Sequence, residues 1–278
     1  MIRMNMEEIM EQLYVLGTGY ATATRCYNTC FAIRRDDDFF LVDTGGGNGI
    51  LRILEDMKID TAKIHDIFIT HEHTDHILGI VWLIRVIATR MKKGTYEGDL
   101  NIYCHEDLPD TITTICRLTV QGKFFKMIGD RIHIIPVKDG ETRTIMGYDV
   151  TFFDILSTKA KQYGFTTTLK NGKKFTCAGD EPYNPECRKY VEGSDWLLHE
   201  AFCLYEDRDK FQPYEKHHST VKDASELAES LKIPNLVLWH TEDKNLSQRK
   251  ELYSAEGKKY YHGNLFVPND GEILDLDR

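Results

Sequence analysis

The 278-residue sequence predicts an α/β fold in which two β-sheets pack against each other with helices outside. Three observations carry this expectation. Short apolar, β-branched runs end in polar residues of functional type. Helical apolar periodicity follows several of them. The same rhythm then occurs a second time in the C-terminal half. A hydrophobic fraction of 41%, with 14 Tyr and 13 Phe, is enough to fill a substantial core.

Residues 13–16 read as a strand that ends in the turn Gly17-Thr18-Gly19. Residues 29–33 and 39–42 read as two more, divided by Asp36-Asp37-Asp38. Gly45-Gly46-Gly47 opens a helix with apolar positions at Ile50, Leu51, Ile53, Leu54 and Met57. Residues 67–70 form a buried strand by their β-branched content, and residues 77–91 a mostly apolar helix buried on several sides. In the second half, residues 149–156 read as a strand. Asn171-Gly172 marks a hairpin turn between 165–169 and 174–178. Residues 196–198 and 236–239 are short buried strands. Thr220 and Asp223 have capping-box spacing, ahead of a helix with Val221, Ala224, Leu227, Ala228 and Leu231 on one face. No linker or low-complexity tract interrupts the chain, so a single domain over residues 1–278 is expected.

A formal net charge of −9 argues against a general nucleic-acid binder, which needs a positive face to meet phosphates. The first 13 residues contain Glu7-Glu8 and lack the apolar core of a signal peptide. The longest apolar stretch, 77–87, is cut by Arg85 and is too short to span a membrane. Seven cysteines without regular spacing fit a reducing, cytoplasmic setting. Cys26 and Cys30 form a CxxxC pair with no companion pair, which favours core packing over metal binding.

The densest chemistry is Thr70-His71-Glu72-His73-Thr74-Asp75-His76, directly after the apolar run 67–69. His71 and His73, two residues apart on a loop leaving a strand, can aim both rings the same way. Asp75 and His76 add a carboxylate and a third imidazole. Neutral imidazole and carboxylate are the ligands a tetrahedral or five-coordinate divalent ion accepts. A merely polar loop seldom concentrates so many of them.

This run resembles the HxHxDH signature of the metallo-β-lactamase fold, a four-layer αββα sandwich in which the motif follows a strand and opens onto a helix. The resemblance implies a site of one or two divalent ions, zinc in the first instance, with manganese or iron accepted by the same ligands. His71 and His73 then face one metal, and Asp75 and His76 the other. Asp180, at the end of a strand, looks like the carboxylate bridging the two, and His240, at the end of another, like the last ligand of the second. Asp43 is similar to the aspartate that orients a ligand histidine, although a turn aspartate fits its sequence equally well. His199-Glu200-Ala201-Phe202 and His218-Ser219-Thr220 resemble the paired loops of ribonuclease Z and its phosphodiesterase relatives. In that branch the counterpart of Glu200 orients that of His218, which protonates the leaving group. His217 is adjacent, and the His-Ser-Thr match selects His218.

The sequence departs from the branch in two places. A histidine for the first metal usually precedes a Tyr-Gly pair, here Tyr163-Gly164. No histidine lies between His133 and His199, and Leu156 or Ser157 holds the expected position. His105 and His133 are the remaining substitutes, His133 reading as a solvent-facing strand residue. The long basic arm with which ribonuclease Z grips tRNA also has no counterpart.

The resemblance implies a metal-dependent phosphodiesterase with Asp75, His218 and Glu200 as catalytic groups; the acidic chain and the absent arm favour a phosphodiester or other small-molecule substrate over a large RNA. Two alternatives stay open. One is an ester, thioester or lactam hydrolase on the same fold; the other is a non-catalytic descendant that binds metal or ligand. The helix at 77–91 stands where the family often forms a homodimer, and a core helix explains it as well.

Overall fold

The computed structural model describes residues 11–277; the N-terminal reading above falls mostly on residues 1–10, outside the described residues. The strands are β1 (Glu11–Gly17), β2 (Cys30–Arg35), β3 (Asp38–Val42), β4 (Ile64–Ile69), β5 (Leu100–His105), β6 (Ile132–Val137) and β7 (Thr142–Ile145). Then come β8 (Tyr148–Asp154), β9 (Tyr163–Thr168), β10 (Lys174–Cys177), β11 (Trp196–Glu200), β12 (Asn235–Trp239), β13 (Asn264–Phe266) and β14 (Ile273–Asp275). They form two seven-stranded sheets, ordered β14-β1-β2-β3-β4-β5-β6 and β13-β12-β11-β10-β9-β8-β7. β3 to β6 run parallel in the first sheet, and β10 to β13 run parallel in the second.

Period-2 alternation sorts each strand between two cores. In β4, Ile67 and Ile69 pack with Ile50, Leu83 and Ile87 from the helices outside the first sheet. Phe68 points the other way, into the layer between the sheets, beside Phe31, Phe40, Phe152, Phe165, Phe175 and Trp239. A third cluster joins Leu197, Leu236 and Leu238 to Val221, Ala224 and Tyr253 of the helices outside the second sheet. Helix, sheet, sheet and helix are therefore held by three apolar layers, the four-layer sandwich expected. The aromatic layer is closely packed: Phe68 and Phe152 have ring centroids 4.8 Å apart, and Phe31 and Trp239 5.0 Å, both pairs tilted.

Three sequence expectations shift. The strand expected at 149–156 is β8, which stops at Asp154. The helix expected at 77–91 is two helices, Thr74–Ile77 and Ile80–Lys93. Gly79 lies between them because the chain crosses Thr44 there: a Cβ on Gly79 would sit 2.0 Å from the Thr44 carbonyl oxygen. The longer helix is also not enclosed all round, since Trp82 is 37% exposed and lines a groove of about 270 Å³ with Leu78, Val81 and Ile115. Cys30 lies in the core and Cys26 is half-buried; both are free thiols, and burial pushes the Cys26 thiol up to about 11. Neither belongs to a metal-ligand cluster among the described residues. No helix among the described residues is long and apolar enough to cross a membrane.

Candidate metal centre

The C-terminal ends of parallel strands supply the site. β4 delivers Thr70 and His71, and the next loop carries His73 into the short helix with Asp75 and His76. From the second sheet, β10 leads through Ala178-Gly179 to Asp180, β11 ends at Glu200, and β12 leads to His240. Gly179 has φ +85°, and a Cβ there would press on Ile155 Cδ1 at 2.9 Å, so a glycine lets this turn bring Asp180 inward.

Two groups of donors converge. One donor atom each from His71, His73 and Asp180 lie within 4.8 Å of one another, and so do donors of Asp75, His76 and His240. Asp180 joins the groups. Its Oδ2 lies 3.7 Å from His71 Nε2, 3.4 Å from His76 Nε2 and 3.3 Å from His240 Nε2. Asp75 Oδ2 lies 3.3 Å from His76 Nε2 and 3.5 Å from His240 Nε2. These separations are long for hydrogen bonds. They match the edge of a tetrahedron with metal–ligand arms near 2.1 Å, which is about 3.4 Å. His76 Nε2 and His240 Nε2 are buried and have no hydrogen-bond partner among the described residues. The residues present thus fit a divalent cation.

The surrounding charge agrees. Burial holds His71 well below the usual histidine range, so its ring is neutral as a ligand must be. Burial acts against charge on His76 too, but Asp75 and Asp43 outweigh it and raise its pKa. Burial likewise works against the Asp180 carboxylate, yet His71, His76 and His240 hold its pKa well below the ordinary range. A pocket that draws positive charge onto an imidazole is electrostatically prepared for a cation.

Asp43 makes the contacts an orienting residue would make. It has φ +56°, and its Oδ2 accepts from His76 Nδ1 at 2.7 Å and from Thr70 Oγ1 at 2.8 Å, while Oδ1 accepts from Thr70 N at 2.8 Å. The Nδ1 proton of His76 is thereby fixed, leaving Nε2 to face the site. Asp43→Ala is expected to weaken metal affinity by about 10–100-fold with the fold retained, read by competition with a chromophoric chelator. Unchanged affinity would reduce Asp43 to a turn residue.

Among the described residues, no further side chain joins the His71, His73 and Asp180 group where a histidine was expected. Leu156 has φ +61° and is 46% exposed, and its N–H is held by Asp154 Oδ1. Ser157 Oγ donates to Glu181 Oε1 at 2.7 Å, so its hydroxyl is engaged away from His71 and His73. Glu181 also takes the Thr158 N–H and pairs with Lys159, pinning this loop from the residue after Asp180. His133 pairs with Asp99 at 3.0 Å, and His105 Nε2 is 3.6 Å from Glu72; among the described residues neither joins a ligand group.

The structure also brings His218 and Glu200 close together. His218 is buried, its ring 5.1 Å from those of both Phe202 and His240. Its Nδ1 is 3.6 Å from Glu200 Oε2, longer than a hydrogen bond, while Glu200 Oε1 accepts from Ser219 N. The two loops are laced by Phe202 N to Ser219 O and Val221 N to Cys203 O, and the Thr220–Asp223 capping box is formed. His217 turns away at φ +55°, with Nδ1 3.1 Å from Thr158 Oγ1, so geometry separates the adjacent histidines.

Two mixed sheets, outer helices and an HxHxDH loop at the parallel strand ends define a metallo-β-lactamase fold. The metallo-beta-lactamase fold protein YhfI from Bacillus subtilis superposes with a TM-score of 0.77 at 17% identity, over 96% of this chain and 99% of that one. Human short-form tRNase Z gives 0.72 at 21% identity, over 95% and 99%. The ribonuclease Z of Thermococcus sibiricus is 26% identical over 96% of this chain and 97% of its own length. The chain belongs to the family of the anti-Pycsar protein Apyc1, whose sequence model matches residues 11–259.

Proposed function

We propose that this protein is a metal-dependent phosphodiesterase acting on a small phosphodiester. The observation that carries the reading is Asp180 Oδ2 lying 3.3–3.7 Å from the ring nitrogens of His71, His76 and His240. His71, His73 and Asp180 would hold one ion, and Asp75, His76, Asp180 and His240 the other. Zinc suits this N/O set best, and manganese or iron can use the same donors. When bound, the ions supply Lewis acidity to phosphoryl oxygens and lower the pKa of water.

The protein's own groups do the rest. Asp75 accepts a hydrogen bond from the attacking water and orients it toward phosphorus. A new P–O bond forms as the water gives up one proton to solvent and the P–O bond to the leaving alcohol breaks. His218, with Glu200 Oε2 3.6 Å from its Nδ1, donates its proton to that leaving oxygen. Phe202 covers one face of the His218 ring and keeps bulk water from it. This pair favours a phosphodiester with a poor leaving group over a thioester or activated ester, which needs no acid. With three side chains for one ion and four for the other, the first ion is the more readily exchanged.

The test assays chelator-treated protein on bis(4-nitrophenyl) phosphate and on an aryl thioester, before and after adding Zn²⁺, Mn²⁺ or Fe²⁺. Phosphodiester turnover should vanish on chelation, return with metal and exceed thioester turnover. Thioester turnover alone would move the protein to the carbon-ester reading, and no turnover with any metal would make it a binding descendant.

A further inference from the structure

The two histidines assigned to one ion come from different sheets: His76 follows β4 and His240 follows β12. Their rings are stacked, with centroids 5.6 Å apart. A continuous path of hydrogen bonds joins the segments that carry them, and Arg249 is its hub. We infer that Arg249 is a positioning residue: with Thr18, Asp270 and Tyr27 it forms a clasp that fixes His240 opposite His76 before any ion binds. The inference rests on the reading of Asp75, His76, Asp180 and His240 as the holders of one ion.

The path can be followed bond by bond. Thr241 comes directly after His240, and its N–H donates to the Thr18 carbonyl at 2.9 Å. Arg249 Nη1 donates to the hydroxyls of Thr241, at 2.7 Å, and Thr18, at 2.9 Å. Thr18 Oγ1 in turn donates to Asp270 Oδ1 at 2.7 Å, and Asp270 Oδ2 accepts from the Tyr27 N–H. The Tyr27 hydroxyl lies 3.0 Å from the Thr44 carbonyl oxygen and 2.8 Å from that of Gly47. Thr44 ends the path, its N–H and its hydroxyl donating to the His76 carbonyl at 2.9 and 2.8 Å. Asp243 braces the same loop, accepting from the N–H groups of Thr24 and Arg25 at 2.7 and 3.0 Å.

His240 needs such a device. His76 is oriented through its ring by Asp43, whereas neither ring nitrogen of His240 has a hydrogen-bond partner among the described residues. His240 also has φ +52°, a conformation that persists only where the surroundings enforce it. Its place is therefore set by the backbone beside it, which the clasp holds at Thr241. The choice of arginine agrees. Arg249 is fully buried, and Asp270 reaches it only through the Thr18 hydroxyl. A guanidinium taken out of water carries a desolvation penalty that an aliphatic side chain of similar volume avoids. What the guanidinium adds is a planar fork of fixed direction. Its Nη2 donates to the Pro268 carbonyl at 2.7 Å and to Asn269 Oδ1 at 3.2 Å, so one side chain ties the ends of β1 and β12 to the turn between β13 and β14.

The experiment measures zinc binding to the full chain by competition with a chromophoric chelator. Arg249→Met should weaken the more tightly held ion by at least about tenfold, the scale of losing a residue that orients a ligand, and leave the weaker ion unchanged. In a His240→Ala background the same substitution should have no effect. Tyr27→Phe removes one hydroxyl from the path and should act in the same direction, less strongly; it carries the test if Arg249→Met does not fold. An equal loss in the His240→Ala background, or wild-type affinity in both single variants, overturns the clasp. If the wild type holds no zinc, the metal reading falls separately. Amide hydrogen exchange in that metal-free protein then decides. Arg249→Met should speed exchange at Thr241 and Tyr27 while the β4 amides keep their wild-type rates; unchanged or uniformly raised rates overturn the clasp.

Discussion

Asp180→Ala is expected to lower metal-dependent phosphodiester turnover by at least about 10³-fold, the several kcal/mol of charge stabilisation that a two-ion centre supplies. The carboxylate stands between both donor groups, with three imidazole nitrogens around one oxygen. The adjacent carboxylate, Glu181, already serves Ser157, Thr158 and Lys159. Metal per chain, measured by elemental analysis, should fall together with turnover. Far-UV circular dichroism separates this loss from unfolding. A variant that kept turnover within tenfold of wild type would show that the two groups do not act through Asp180.

His218→Ala should produce a loss that depends on the substrate. With an alkyl leaving group, removing the proton donor should slow turnover by about 10²–10⁴-fold. With 4-nitrophenolate, which departs without protonation, the loss should be far smaller. Glu200→Gln should act in the same direction, and the double variant should be no slower than His218→Ala, since Glu200 acts through that histidine. Glu200 also accepts from Ser219 N, so the glutamine variant needs a melting curve as a control. Equal losses across leaving groups would assign His218 to substrate binding instead of acid catalysis.

The parts of this site that were legible in the sequence share one property: several functional groups lie close along the chain. His71, His73, Asp75 and His76 fall within six residues, and no common structural role explains them together. Asp180 and His240 were legible only through their order after that loop, because a polar residue at a strand end is ordinary. Asp43 was ambiguous until its carboxylate could be seen bonding both His76 and Thr70.

For the fold, alternation and turn residues marked most strands. The break at Gly79 escaped because it depends on close approach to Thr44, 35 residues earlier, which no local pattern records. Leu156 shows the converse. Its identity marked the place where a ligand histidine was expected, and only the structure shows its loop tied down by Glu181.

The candidate ligands are divided between the two sheets: His71, His73, Asp75 and His76 follow β4, whereas Asp180 and His240 follow β10 and β12. A cation held by both sets recognises the docked sandwich and neither sheet alone. Metal binding and sheet docking are then linked by mass action, and a ligand at 100 times its dissociation constant adds about 2.7 kcal/mol to folding stability. Because the binding atoms are contributed across the interface, this gain falls on the contact between the sheets. The amount of intact protein would consequently follow the free metal concentration around it, quite apart from any turnover at the site.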